Sequence, residues 1–231
     1  MVAYQMFFNT GERIFPDTAR ACSAQLLDQF QPGLVGALMH YTDNAESKRV
    51  PKDGFVPVRF SGAKDGFSLV GFGEQGRMIV DDVAGPLARA WSERLGRAVT
   101  LRSRAVECGI EWRPYPMRYT VPRLVVQKKT RHLESLRNEE TGKAHIESLI
   151  KRSIVTQAEY LGIKVPSDLT VSFIGNANTF GAKLGHGGAV LAGLGGVEFE
   201  ANACLKGLWG LGFIQSKGYG LLNADAARGG L

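Results

Sequence analysis

A glycine-rich segment near the end of the sequence has the spacing of a loop that could hold a phosphate group. Gly210-Leu211-Gly212 and Gly218-Tyr219-Gly220 flank five residues that include Lys217. Glycine permits positive φ and close backbone approach, so N–H groups in such a loop can point at a phosphate, to which Lys217 adds positive charge. The alternative is a tight turn in a sheet that binds no ligand. The spacing matches neither the Walker loop nor the dinucleotide fingerprint.

Basic side chains are concentrated in the middle of the chain. Residues 87–152 contain 15 Lys and Arg against 7 Asp and Glu, whereas the rest of the chain has 13 against 15. The candidate RNA-binding cations of the helical stretch after residue 125 are Lys128, Lys129, Arg131, Arg137, Lys151 and Arg152. A basic helix can lie against an A-form RNA stem and contact its phosphates and 2′-OH groups. The alternative is a solvated helix pair in which glutamates neutralise these cations.

Aromatic and basic residues alternate just before this stretch, namely Trp112, Arg113, Tyr115, Arg118, Tyr119 and Arg123. Such a pattern suits base stacking combined with phosphate contacts. It suits packing of the rings between two domains equally well, so the pattern leaves both interpretations open.

The composition excludes several protein classes. The chain has 231 residues, 44% hydrophobic and 22% charged, which is a globular balance with a net charge of +6. No stretch approaches the roughly 20 apolar residues of a membrane span, and the N-terminus lacks the features of a signal peptide. The three cysteines are far apart and odd in number, which favours a reducing compartment over a disulfide framework. We therefore expect a cytoplasmic protein without a membrane partner.

The elements of the first half follow the order β-α-β-β-α-β, which is typical of a ferredoxin-like (RRM-like) unit. Residues 2–8 predict a buried strand, and Asp17 to Phe30 a helix that ends at Pro32-Gly33. Two strands at 55–60 and 67–72 follow a loop over 34–54, with residues 78–80 extending the hairpin or following it. A second helix is predicted over 87–95 and a strand with a basic outer face over 99–106.

The second half changes in character. The prolines of residues 111–123 predict irregular structure, and residues 125–161 predict two charged helices that project from the body. Short strands and dense glycine follow. The predicted fold is therefore α+β: a ferredoxin-like domain at 1–110, a basic helical insertion at 111–165, and a smaller β-rich half at 166–231 that carries the C-terminal glycine-rich loop.

The glycine loop, together with the run Leu191-Ala192-Gly193-Leu194-Gly195-Gly196 before it, resembles the repeat-RNA-processing endoribonucleases of the RAMP superfamily of CRISPR-associated proteins. The resemblance is detailed over residues 188–223 and architectural over residues 1–110. The helical insertion resembles the type IV CRISPR variant of these enzymes.

The resemblance implies a catalytic histidine in the loop after the first helix, with a basic residue a few positions later. By position these are His40 and Lys48. Cleavage of RNA without a metal requires a base, an acid and a cation at the phosphorane, and a histidine with a pKa near 7 can act as base or acid. Arg49 is a second candidate for the cation. Because some members of the family use arginines instead, Arg20 and Arg49 are rival catalytic residues.

The expected function is metal-independent cleavage of CRISPR precursor RNA within its repeats, leaving a 2′,3′-cyclic phosphate and a 5′-OH, by a protein that stays bound to its product. No cofactor or metal is expected, and Gly210, Gly212, Lys217, Gly218 and Gly220 would clamp a stem-loop of the repeat RNA. Other CRISPR effector subunits are further expected partners. Two alternatives remain: a non-catalytic guide-RNA-binding subunit, and an enzyme that binds a small phosphate compound.

Overall fold

The computed structural model describes residues 1–43, 49–51, 55–126, 139–183 and 190–224. By its internal contacts the chain divides into two units. The N-terminal unit comprises Val2–Val106 and the short segment Ser216–Gly218, and the C-terminal unit comprises Met1, Glu107–Gln215 and Tyr219–Leu231. The expected α+β class is confirmed, because both units combine helices with antiparallel sheet.

The described residues of the N-terminal unit form six strands and three helices. In chain order they are β1 (Val2–Asn9), α1 (Pro16–Phe30), α2 (Pro32–Met39), β2 (Tyr41–Asp43), β3 (Arg49–Pro51), β4 (Val58–Ala63), β5 (Gly66–Phe72), α3 (Gly73–Leu95) and β6 (Thr100–Glu107). The main sheet has the order β4-β5-β1-β6, and β2 pairs with β3 as a separate hairpin. Without α2 and that hairpin, the order is the predicted β-α-β-β-α-β.

The core of this unit lies between one face of the main sheet and the helices. Phe8 of β1 stacks on Phe67 of β5 with ring centroids 4.7 Å apart, and the Phe67 ring lies 5.3 Å from that of Trp91 on α3. The indole N–H of Trp91 donates to the Ser23 hydroxyl of α1 over 3.1 Å, so a buried polar group at the helix–helix contact is satisfied. The directly opposed pair Phe8 and Phe67 thus packs on α3 through Trp91, and the hydrogen bond to Ser23 joins α3 to α1.

Two expectations for this unit were wrong. Residues 34–54 are not mostly loop, because a second helix starts at Pro32 immediately after α1, where the fixed φ of proline suits the first helical turn. Residues 78–80 do not belong to the hairpin. They lie in α3, whose inward positions Val80, Val83, Leu87 and Trp91 are buried at helical spacing.

In the described residues, the C-terminal unit contains six strands and one long helix, and a 3-10 turn begins in this unit at Gln215 and continues into the segment assigned to the N-terminal unit. They are β7 (Gly109–Val125), α4 (Glu139–Leu161), β8 (Val171–Gly175), β9 (Asn178–Lys183), β10 (Val190–Lys206), β11 (Leu208–Gly210), the 3-10 turn Gln215–Lys217 and β12 (Leu221–Asn223). The central strand β10 pairs with β7 along one edge and with β8 and β9 along the other. β11 pairs with β12.

The proline-rich residues 111–123 form part of a strand, contrary to expectation. The β7–β10 register shifts between Ala201 and Ala203, where Pro114 and Pro116 need no partner for the N–H group that proline lacks. The buried Tyr119 hydroxyl donates to the Ala203 carbonyl over 2.9 Å and accepts from the Leu205 N–H over 2.8 Å, which satisfies the backbone beyond the bulge. Pairing with β10 therefore keeps these residues in a strand, although their prolines favour irregular structure.

The helix α4 does not project from the body as expected. It packs on β8 and β11, and its apolar side is buried in the core of the C-terminal unit, at Ile146, Leu149, Ile150, Ile154 and Ala158. The first helix expected in this stretch lies outside the described residues. No helix in the described ranges combines the length and apolar character needed to cross a bilayer.

Candidate functional site

The candidate catalytic residue His40 ends helix α2. Its backbone is left-handed, with φ 57° and ψ 46°, and its N–H donates to the Ala37 carbonyl over 3.3 Å. Residues other than glycine rarely adopt positive φ, although histidine does so more readily than most. Because β2 begins at the next residue, Tyr41, His40 lies where the chain leaves the helix and enters the hairpin. Its half-buried side chain is thus held on a helix terminus, not in a long loop.

The candidate cations of the N-terminal unit lie on three different elements. Arg20 is a half-buried residue of α1, the helix that packs against α2. Arg49 is the first residue of β3, and its backbone pairs with that of Asp43 in the hairpin after His40. Lys48 lies outside the described residues. In the part of the chain that is described, no three His, Cys, Asp or Glu side chains converge as metal ligands.

Several backbone N–H groups of the glycine-rich loop donate hydrogen bonds to acceptors within the protein. The Gly210 N–H donates to Gln157 over 2.9 Å, the Gly212 N–H to the Ser153 hydroxyl over 3.0 Å, and the Gly220 N–H to the Arg123 carbonyl over 2.6 Å. An N–H group that already has a protein acceptor cannot also cradle a phosphate. The expectation that these three glycines would offer their N–H groups to a ligand is therefore wrong for this conformation.

Helix α4 positions the first half of the loop. Ser153 and Gln157 are four residues apart, so they lie on one side of the helix. Gln157 accepts from Gly210 through Oε1 and donates through Nε2 to the Leu208 carbonyl over 2.8 Å. This pair of contacts ties strand β11 to the helix. Gly212 also lies close to β7, since a Cβ there would come 2.6 Å from the Leu124 Cδ1 atom and 2.7 Å from the Val125 carbonyl oxygen.

The second half of the loop carries Lys217 into the N-terminal unit, to which Ser216–Gly218 belongs by its contacts. Gly218 has a φ of 81°, and a Cβ there would collide with Pro16 and lie 2.7 Å from the Phe60 carbonyl oxygen. Pro16 begins α1, the helix that carries Arg20 one turn later. The structure thus brings the Lys217 segment, from the end of the sequence, to the helix that bears one of the catalytic candidates.

The expected basic helical surface is described only in part. Lys151 and Arg152 are exposed on α4, and neither forms an ion pair with a described residue. Lys143 pairs with Glu147 one turn along the helix, at 4.0 Å. The remaining candidates, Lys128, Lys129, Arg131 and Arg137, lie outside the described residues.

The alternation of aromatic and basic residues resolves into three environments. Tyr119 is a core residue, whereas Trp112 and Tyr115 are more than half exposed. Arg113 and Arg118 form ion pairs with Glu111 and Glu200, at 3.2 and 3.3 Å. Arg123 instead lies over two aromatic rings, 4.4 Å from the centroid of Phe180 and 4.9 Å from that of Tyr219. The three arginines are alike in the sequence, because their different partners depend on strand pairing and not on local pattern.

The fold is similar to that of solved CRISPR-associated proteins. A structure described as Csf5, a CRISPR-Cas type IV Cas6 crRNA endonuclease, superposes with a TM-score of 0.69 at 20% identity, covering 97% of this chain and 98% of that one. Two Cas6b structures, one described as a CRISPR RNA processing endoribonuclease, give TM-scores of 0.67 and 0.62 at 14% identity. They cover 96% of this chain and 98% and 99% of their own. No curated protein sequence matches significantly.

A match to a protein family covers nearly the whole sequence. Residues 5–227 fit the family described as the type IV CRISPR-associated endonuclease Csf5. The match includes both units, the histidine that ends α2 and the glycine-rich loop. The chain therefore belongs to the family of type IV CRISPR-associated endonucleases.

Proposed function

We propose that this protein cleaves CRISPR precursor RNA within its repeats and thereby produces guide RNA. One structural observation carries the assignment to particular residues. The N-terminal unit contains His40 and Arg20 and also takes up the segment with Lys217. An imidazole and several cations on neighbouring elements supply the groups that phosphodiester cleavage needs. The membership of an endonuclease family and the crRNA endonuclease activity named for a solved relative support RNA as the substrate.

The proposed chemistry is an attack by the 2′-OH on the adjacent phosphate. The 2′ oxygen forms a bond to phosphorus while the bond from phosphorus to the 5′ oxygen breaks, leaving a 2′,3′-cyclic phosphate and a 5′-OH. His40 removes the 2′-OH proton or protonates the 5′ oxygen, a role that contributes about 10²- to 10⁴-fold to the rate. Lys48, Arg49 and Arg20 are the candidates for stabilising the phosphorane charge. No step in this scheme requires a metal.

The protein is further proposed to keep its product and to act in the cytoplasm. Lys151 and Arg152 on α4, together with Lys217, are the described cations proposed to hold a stem of the repeat RNA, along with the basic residues 128–137. Retention of the cleaved RNA would allow the complex to join other CRISPR effector subunits. Gly210, Gly212, Gly218 and Gly220 serve this binding by shaping the loop that presents Lys217.

The experiment is a cleavage assay with end-labelled repeat RNA from the same genome, in EDTA throughout. Wild-type protein is expected to make one discrete cut with a cyclic phosphate end. His40→Asn is the sharpest variant, because asparagine tolerates the left-handed backbone that ends α2 but cannot transfer protons in this way. We expect it to cut at least about 100-fold more slowly.

His40→Gly is the matched control for backbone strain, and it should be as slow as His40→Asn. If both variants cut at the wild-type rate, His40 is only a helix cap and the chemistry rests on the arginines. If wild-type protein binds the RNA tightly and leaves it intact, the chain is a guide-RNA-binding subunit and the proposed enzyme activity is wrong.

A further inference from the structure

Arg123, near the end of β7, lies against an aromatic pair in the C-terminal unit. The rings of Phe180 and Tyr219 are stacked, with centroids 5.8 Å apart and an angle of 16° between their planes. The Arg123 guanidinium carbon lies within 5 Å of both centroids. Contacts of this geometry attract a cation to the faces of the rings and restrict its orientation. Within the described part of the chain, the guanidinium is therefore held by two rings and by no carboxylate.

The glycines of β10 make this arrangement possible. Gly193 pairs with Val125 on one side and with Phe180 on the other, and Gly195 likewise pairs with Arg123 and Asn178. Directly opposed residues of adjacent strands share a face of the sheet. A Cβ on Gly193 would overlap the Phe180 ring. Because that Cβ is absent, the ring lies flat across β10 toward Arg123 on β7.

The glycine-rich loop is joined to the same place. Tyr219 is the residue between Gly218 and Gly220, and the Gly220 N–H donates to the Arg123 carbonyl over 2.6 Å. Backbone and side chain of Arg123 are thus both in contact with this part of the loop. The glycine run of β10 and the loop, which are separate features in the sequence, converge on one arginine.

Arg123 differs from the other arginines of its strand in its charge balance. Arg113 and Arg118 each face a glutamate, whereas Arg123 is exposed and pairs with no carboxylate in the described ranges. No carboxylate of the described residues therefore neutralises its positive charge. A planar guanidinium that is oriented by rings and exposed to solvent suits bidentate binding of a phosphate.

We propose that Arg123, held by Phe180 and Tyr219, binds a backbone phosphate of the RNA. This proposal rests on the proposed function, since it takes the repeat RNA as the ligand. A phosphate contact positions the RNA but reads no base. The site therefore adds affinity independently of sequence, and it is separate from the groups that carry out cleavage in the N-terminal unit.

The test measures the affinity for repeat RNA over a series of salt concentrations. The RNA carries a 2′-deoxy nucleotide at the site that the cleavage assay identifies, so that it stays intact. Arg123→Gln is expected to weaken binding about tenfold near 0.1 M salt and to lower the slope of log K against log salt by about 0.7–0.9. An unrelated RNA of equal length should lose affinity by a similar factor.

Arg118→Gln is the matched control, because Arg118 lies on the same strand and is exposed but ion-paired with Glu200. We expect it to change the affinity less than about twofold. Phe180→Leu keeps the charge but removes a ring. It should weaken binding about threefold without changing the salt slope. An arginine that is held less firmly in the free protein loses more conformational entropy when it binds the phosphate.

The outcomes separate this inference from the proposed function. If Arg123→Gln binds with the wild-type affinity and slope while wild-type protein cleaves the RNA, the phosphate site is wrong and the proposed function stands. Equal losses in Arg123→Gln and Arg118→Gln would overturn the site as well, because the effect would then be one of net charge. Wild-type protein that binds no repeat RNA would overturn both.

Discussion

The Gln157 side chain accepts the Gly210 N–H over 2.9 Å, and this contact fixes the glycine-rich loop to helix α4. Gln157 is fully buried, and its other end donates to the Leu208 carbonyl. One side chain thus satisfies two backbone groups of strand β11 that have no access to water. The loop is positioned from the helix side before any RNA is present.

Gln157→Leu is expected to lower the free energy of unfolding by about 2–4 kcal/mol. The leucine keeps the volume, but it leaves the buried Gly210 N–H without its acceptor, and an unsatisfied group of this kind costs about 1–3 kcal/mol. It also removes the nearer of the two described donors to the Leu208 carbonyl, which keeps only the Cys108 thiol at 3.5 Å. Urea unfolding followed by circular dichroism measures the change. Thr156→Ala, at the exposed neighbouring position of α4, should change the unfolding midpoint little. Equal midpoints for the two variants would contradict this account.

The sequence predicted the parts of the fold that depend on local periodicity. The strands and helices of the N-terminal ferredoxin-like order were predicted in the right sequence, because alternating and helical apolar patterns reflect the face that each element buries. The irregular structure predicted from Pro114 and Pro116 was wrong. The β7–β10 register shifts at Asn202, so no backbone N–H group is required at these two positions. The prediction that α4 projects from the body was wrong because most of its charged residues lie on the exposed side, while its apolar side is buried in the core.

The candidate site was less predictable for a physical reason. A sequence gives residue types, whereas the role of a group depends on its partner. The glycine N–H groups were expected to bind phosphate, but Ser153 and Gln157 are distant in sequence and accept two of them. Nor does the sequence distinguish Arg118, which faces Glu200, from Arg123, which faces two rings. These pairings arise only from strand register.

Gly218→Ala is expected to lower both stability and cleavage rate. Alanine at a φ of 81° costs about 1–2 kcal/mol, and its methyl group would collide with Pro16 at the start of α1. The segment with Lys217 must then move away from the helix that carries Arg20. The measurements are the unfolding free energy and the single-turnover rate on repeat RNA.

Gly33→Ala in α2 is the matched control for Gly218→Ala. A Cβ on Gly33 would meet no atom within 4 Å, so alanine should stabilise the helix by up to about 1 kcal/mol and leave the cleavage rate unchanged. A Gly218→Ala protein as stable and as active as Gly33→Ala would show that the close approach to Pro16 is unimportant.

Burial lowers the pKa of Arg59 to about 9. Its guanidinium carbon lies 4.7 Å from the centroid of Phe55 and 4.4 Å from that of Phe72. Because the folded pKa is below that of the unfolded chain, the unfolded state binds more protons above pH 9. The stability of the wild type should therefore rise, relative to Arg59→Met, as the pH increases through 9.

The measurement is the unfolding free energy of both proteins at pH 7.5 and pH 10. The unfolding free energy of the wild type minus that of Arg59→Met is expected to be about 1 kcal/mol larger at pH 10 than at pH 7.5. All other titrating groups are present in both proteins, so their contributions cancel in this difference. A difference that stays constant over this range would show that Arg59 keeps its proton in the folded protein, held by the two rings.

Gly193→Ala tests whether the absence of a side chain at Gly193, which lets the Phe180 ring lie across β10, positions Arg123. The new methyl group would overlap the Phe180 ring and displace it from Arg123, while every charge in the protein is retained. RNA affinity should therefore fall about threefold, as for Phe180→Leu, with the salt slope unchanged. Gly175→Ala in β8 is the control, because a Cβ there meets nothing within 4 Å. If Gly193→Ala and Gly175→Ala bind RNA equally well, the ring does not orient Arg123, and the glycines of β10 serve only the packing of Phe180.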